Sequence, residues 1–190
     1  MSDARNFKVL GPLNADAGSR ALLALETRSD PPKPVVLLPI PAEIVDDPEA
    51  LLRLRRETER ALALEHPGVL QGDGLVEAEG GLARAVEFAN GATLRKVLER
   101  ARELPAGLAA RLVADVAAGV HFAHLAGNED GSALVHGDLR PETLMVSFDG
   151  AAKVSGYGAL SVAPREPGGK RVPGRRKYAA PEQILGGRGA

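Results

Sequence analysis

Cysteine is absent from the 190 residues, so no disulfide, thiolate nucleophile or cysteine-held metal is available. Tryptophan is absent as well, and aromatic residues make up 3% of the chain. A core must therefore be built mainly from Leu, Val and Ala. Neither sign of charge is in excess: 24 Lys and Arg against 25 Asp and Glu leave a net charge of −1. No global field points to nucleic acid or to a membrane surface. Strongly apolar runs are short. The longest, residues 35–40, falls far below the roughly 20 residues needed to span a bilayer. The opening stretch, MSDARNFKVLGPLN, mixes acid and base without an apolar centre, unlike a signal peptide. What is present is ordinary for a globular domain, 44% apolar and 26% charged. The length suits one domain or most of one. These features lead to the expectation of a cytoplasmic protein, or a cytoplasmic piece of a larger one, with no membrane segment in this chain.

Residues 7–13 and 20–26 read as two strands joined by a polar loop. Residues 35–40 read as a third, apolar on both faces as a central strand is. A helix follows. Asp47 can cap it, Pro48 suits its first turn, and Glu49 complements its dipole. Leu51, Leu54, Thr58, Ala61 and Leu62 share one face, and His66-Pro67-Gly68 ends it. Residues 75–78 and 83–88 read as strands around a Gly80-Gly81 turn. After Asn90-Gly91 the pattern turns helical. Thr93 can cap a helix running to about Ala101, and 108–125 forms a longer one with Leu108, Leu112, Val116 and Val120 at four-residue steps. Strand-rich then helix-rich order implies an α+β fold in two lobes.

Several stretches carry chemistry. His136-Gly137-Asp138-Leu139, with Thr143 four residues further on, precedes a short β-hairpin and then Gly156-Tyr157-Gly158. Ala180-Pro181-Glu182 follows a basic run. In order and spacing these resemble a bacterial serine/threonine protein kinase: H-R-D-L-x-x-x-N, D-F-G and A-P-E. The resemblance covers nearly the whole chain. It implies a protein-kinase-like two-lobe fold: a five-stranded antiparallel N-lobe sheet with one helix over 1–89, then a partial helical C-lobe over 90–190. The family's C-terminal lobe continues beyond A-P-E, so the resemblance also implies an incomplete member, a fragment or a lobe whose apolar helix face needs a cover.

Position by position, the resemblance assigns Asp138 to the catalytic base and Glu57 to the helix glutamate. Its lysine partner is replaced, because Val35-Val36-Leu37-Leu38 stands for V-A-I-K. Lys33 is five residues away and on the opposite face. Asn14, Asp16 and Ser19 stand at the three glycine sites of the phosphate loop. Glu87 and Ala89 resemble hinge positions whose backbone would meet adenine, with Val86 as gatekeeper. Magnesium takes oxygen ligands, mainly carboxylates and phosphates. Thr143 and Gly156 supply no carboxylate where the family holds the ion. Lys153 and Asp149 are the nearest charged groups that could be rerouted. His136 is expected to pack rather than to react. Tyr178 is the one phosphorylatable hydroxyl between Ala163 and Glu182.

Removing one preorganised donor typically costs about 10²–10³ in rate. Here several are changed together, and phosphoryl transfer depends on positioning and charge stabilisation. The expectation is a pseudokinase with no cofactor and no metal, acting through a protein partner in a regulatory or adaptor role. ATP bound without productive magnesium stays open. The alternatives are an active or weakly active ATP-dependent serine/threonine kinase, and an adaptor whose basic run (Lys170, Arg171, Arg175, Arg176, Lys177) docks an acidic partner.

Overall fold

A computed structural model describes residues 7–13, 21–78, 80–101, 103–127, 133–158 and 177–181. Five antiparallel strands form the first sheet, in the order β1-β2-β3-β5-β4. They are β1 (Phe7–Pro12), β2 (Leu22–Glu26), β3 (Lys33–Pro39), β4 (Gly72–Ala78) and β5 (Gly81–Glu87). β3 is central, and Val35, Val36 and Leu37 are buried, as its two-sided apolar pattern implies. One face is sealed by Ala24, Val35, Leu37, Ala83 and Ala85, with Phe7, Val9 and Val76 packed around them.

The other face meets α2 (Pro48–Leu62). Asp47 caps it as the sequence implies: its carboxylate accepts from the backbone N–H of Glu49 at 2.9 Å and of Ala50 at 3.1 Å. The buried face is Ala50, Leu54, Thr58 and Ala61. Leu62, expected on that face, is instead exposed, and Ala50 takes a place there. The single expected helix is also preceded by a second, α1 (Ala42–Val45), a one-turn helix starting after Pro41 without a side-chain cap.

β6 (Gly91–Thr93), which no sequence pattern announced, pairs with the hairpin of β7 (Leu144–Ser147) and β8 (Ala152–Val154). Thr93 then caps α3 (Leu94–Arg100), accepting from the Lys96 N–H at 3.3 Å. The long helix α4 (Ala106–Ala126) packs Val116, Val120 and Ala123 into a core with Ala61, Leu64, Val69, Val154 and Tyr157. α4 is long and apolar enough to cross a bilayer by length and composition alone, a test that core helices also pass. That corrects the expectation drawn from residues 35–40 as the longest apolar stretch. α4 carries an Arg111–Asp115 pair at 3.0 Å, and Asp115 also accepts from the Ala152 N–H at 3.2 Å, tying the helix to the hairpin. Leu108, Val113 and Leu125 on the same helix are exposed.

α4 and the hairpin meet through two glycines. A Cβ on Gly119 would lie 2.4 Å from the Gly68 carbonyl oxygen. That oxygen accepts from the Val154 N–H at 2.8 Å. The approach of α4 to the 66–68 turn thus fixes β8, and β8 leads directly into Gly156.

Candidate functional site

His136 is buried and neutral in role. Its Nε2–H donates to the Ser155 carbonyl at 2.8 Å, its Nδ1 accepts from the Asp138 N–H at 3.2 Å, and its ring meets Tyr157 edge-on with centroids 4.7 Å apart. Burial holds its pKa below the ordinary histidine value, against the opposing pull of the Ser155 carbonyl and the Asp138 charge. Burial also pushes the Tyr157 phenol up to about 12. Burial thus favours the neutral form of both groups, and the packing role expected of His136 agrees with this geometry.

Asp138 lies within the loop formed by residues 137–143. Arg140 Nε contacts its carboxylate at 3.3 Å, with the two side chains 20% and 14% exposed. Arg140 Nη1 also lies 3.3 Å from Glu142, an ion contact without good hydrogen-bond alignment. Glu142 accepts from Arg95 Nε at 2.9 Å, and Arg95 Nη2 contacts the Tyr178 hydroxyl at 2.9 Å. Burial would raise the Glu142 carboxyl, but the Arg95 hydrogen bond and the two arginine charges win and hold it low. A polar chain therefore runs from Tyr178 through Arg95, Glu142 and Arg140 to Asp138. Sequence reading missed Arg95, whose partner Glu142 is 47 positions away.

Thr143 is occupied by the loop's own backbone. Its hydroxyl lies 3.0 Å from the carbonyls of both Asp138 and Arg140 and accepts from the Arg140 N–H at 3.1 Å. Gly156 faces it: a Cβ there would sit 3.5 Å from His136 Nε2 and 3.9 Å from Thr143 Cγ2. Gly156 has φ +101°, a backbone state that side chains rarely adopt. At the two positions where the family holds magnesium, one residue thus has no side chain and the other spends its oxygen on the loop. These residues do not fit a divalent ion.

The other expected residues fall as follows. Val36 and Val86, the latter at the position that resembles the gatekeeper, oppose each other across β3 and β5, and both are buried. Glu87 ends β5. Its side chain takes Lys153 Nζ and, at 3.2 Å, the Gln71 N–H. Lys153 is therefore not a spare cation, which corrects that expectation. Asp149 is likewise committed, accepting from the Ser147 hydroxyl and from the Ala151 N–H at 3.0 Å within the hairpin turn. Ala89 is half-buried just beyond β5. Asn14, Asp16 and Ser19 lie outside the described residues, as do Lys170, Arg171, Arg175, Arg176 and Glu182; Lys177 is exposed.

Glu57 is on the half-buried side of α2, and the charge facing it was not foreseen. Arg84 of β5 is 4% exposed and lies close enough for the two charges to interact. Its Nη2 donates to the Tyr157 carbonyl oxygen. The available signal was an arginine in an otherwise apolar strand, Ala83-Arg84-Ala85-Val86, on the same face as Val86.

Known proteins share the sequence pattern and the fold. Residues 41–190 match the family model of the protein kinase domain. The serine/threonine-protein kinase PknB of Mycobacterium leprae is 33% identical over 152 residues, covering 76% of this chain and 24% of that protein. PknA of Mycobacterium tuberculosis is 33% identical over 153 residues, covering 76% of this chain and 34% of that protein. This chain thus spans about a quarter to a third of the length of these relatives. Among solved structures, a Mycobacterium tuberculosis PknI kinase domain superposes with a TM-score of 0.68 at 24% identity, covering 96% of this chain and 66% of that one. With the family model matching well over half of the sequence and the lobes arranged as in a solved kinase domain, this chain belongs to the protein kinase family, close to the bacterial serine/threonine kinases.

Proposed function

We propose that this domain keeps the outline of a protein kinase without its phosphotransfer chemistry, and acts by binding a protein partner in a regulatory or adaptor role. The observation that carries this reading is Gly156, a residue without a carboxylate, at φ +101°, where the family anchors the metal. Thr143 and Leu38 add to it: one hydroxyl is committed to the loop, and one β3 side chain has no charge. Without the ion, nothing at these positions balances a triphosphate or the charge that develops in transfer. No cofactor is expected in this reading, and His136, Tyr157 and Arg84 join the pieces of the site directly. Lys177, with the basic stretch before it, offers a docking point for an acidic partner in the cytoplasm.

A second reading is favoured by the retained Asp138 and Glu57 and by relatives named as serine/threonine kinases: an active or weakly active ATP-dependent kinase. Thermal unfolding with ATP, with and without magnesium, separates the two. A ligand at a hundredfold its Kd stabilises by about 2.7 kcal/mol. For a domain of this size that is roughly 5–11 °C in Tm. The proposed reading expects no magnesium-dependent rise. A rise of that size, together with phosphotransfer abolished by Asp138→Ala, would establish the enzyme instead.

A further inference from the structure

The strand that carries no cation lies against one that does. Leu38 of β3 is the cross-strand partner of Arg84 on β5. Directly opposed residues of an antiparallel pair project from the same face. Arg84 therefore stands on the underside of the sheet, one strand over from the place of a β3 lysine. Strands are about 4.8 Å apart, a gap that a long side chain bridges.

Three elements meet at its guanidinium. The first is β5 itself. The second is the Gly156-Tyr157-Gly158 segment, whose Tyr157 carbonyl accepts from Nη2. The third is α2, whose Glu57 carries a charge that acts on Arg84. That segment also lies against α2, because a Cβ on Gly158 would fall 2.7 Å from the Glu57 carbonyl oxygen. Gly72 of β4 lines the far side, where a Cβ would be 3.8 Å from Nη2. Among the described residues Nε and Nη1 have no hydrogen-bond acceptor, so the charge is offset by Glu57 rather than by a full set of bonds. Burial pushes the Arg84 pKa down to about 10 and Glu57 opposes the drop, so the side chain stays cationic at neutral pH. A buried charge of this kind is costly unless an opposite charge faces it.

We propose that Arg84 performs the positioning duty of the absent β3 lysine: from the neighbouring strand it is the countercharge of Glu57 and holds both α2 and the 156–158 segment against the sheet. It is a positioning residue, with no contact to a nucleotide implied. The inference goes beyond the reading above and stands whichever of the two functions holds. A binding surface needs its lobes fixed, and a catalyst needs α2 aligned.

Moving the cation tests it. Hydrogen–deuterium exchange is measured on the whole chain for the parent, Arg84→Leu, Glu57→Gln, both together, and the relocation variant Leu38→Lys/Arg84→Leu. Arg84→Leu should speed exchange about tenfold in peptides covering α2 and residues 152–158, the equivalent of one charge-assisted hydrogen bond, with α4 peptides little changed. Relocation should bring both regions back to within about threefold of the parent. The Arg84 and Glu57 changes should combine to less than their sum. The proposal is overturned if relocation is no better protected than Arg84→Leu, or if the two single effects simply add. Should Arg84→Leu fail to fold, Arg84→Lys and Glu57→Gln carry the test. Lysine should preserve α2 protection while Glu57→Gln loses it, and equal exchange in both variants and the parent overturns the proposal.

Discussion

Replacing Gly119 by alanine sets two effects against each other, and the packing of α4 decides between them. Glycine inside a helix is worth about 0.5–1 kcal/mol less than alanine, so propensity alone favours the change. The added Cβ, however, would lie 2.4 Å from the Gly68 carbonyl oxygen and 2.8 Å from its carbon. That carbonyl cannot easily retreat. It accepts from Val154 at 2.8 Å, and a Cβ on Gly68 itself would already be 2.8 Å from the Asp115 carbonyl. Overpacking against backbone costs about 1–3 kcal/mol. Losing the Val154 hydrogen bond adds about 1 kcal/mol. The net expectation is a loss of about 1–3 kcal/mol. For a domain of this size that lowers Tm by roughly 2–12 °C. Thermal unfolding followed by circular dichroism reads it directly. Gly107→Ala is the control, because it lies in the same helix with nothing within 4 Å of its Cβ, and it should be neutral or slightly stabilising. If Gly119→Ala matches that control, the close approach of α4 to the 66–68 turn is refuted, and with it the route by which α4 fixes β8.

Two further outcomes are expected. His136 is buried with its pKa lowered, so below its ordinary value of 6.5 the unfolded chain takes up a proton that the folded ring resists. The unfolded state then binds more protons, and stability falls as pH drops through the window just under 6.5. Urea unfolding at about pH 7.5 and about pH 5.5 should show a steeper loss for the parent than for His136→Gln, and equal slopes would contradict the buried neutral ring. Gly156→Asp should not recover magnesium binding, because Thr143 and Leu38 remain as they are and φ +101° strains any side chain. The strain costs about 1–3 kcal/mol and should appear as a lower Tm. A magnesium-dependent rise in Tm for that single variant would show that the missing carboxylate was the one obstacle.

Much of the frame can be read from local signals. Asp47 and Pro48 announce α2, Thr93 announces α3, and the apolar run at 35–37 announces a central strand; all three depend on neighbours in sequence. What escaped depends on distant pairing. Gly91 looks like a turn glycine, yet its Cβ would lie 2.1 Å from the Val146 carbonyl oxygen, so it marks the close pairing of β6 with β7. Arg84 looks like a surface residue of a strand until the β3–β5 register sets it opposite Leu38. Within the site, the lost groups at Leu38, Thr143 and Gly156 were legible, since a missing carboxylate or ammonium is visible in one letter. Their replacements were not, because Arg84, Arg95 and Lys153 find their hydrogen-bond partners 47 to 83 positions away.

The Lys153–Glu87 pair also limits motion. It runs from the hairpin to the last residue of β5, beside the peptide that carries the chain from one half of the molecule to the other. Both side chains are about a quarter exposed, at 25% and 27%, and Glu87 is braced further by Gln71. Swinging the halves apart around residues 88–90 must therefore strip an ion pair as well as turn a few backbone torsions. Excursions to a wide-open shape become rarer, and a molecule that recognises the shut outline meets it ready-made, with little disorder left to remove on docking.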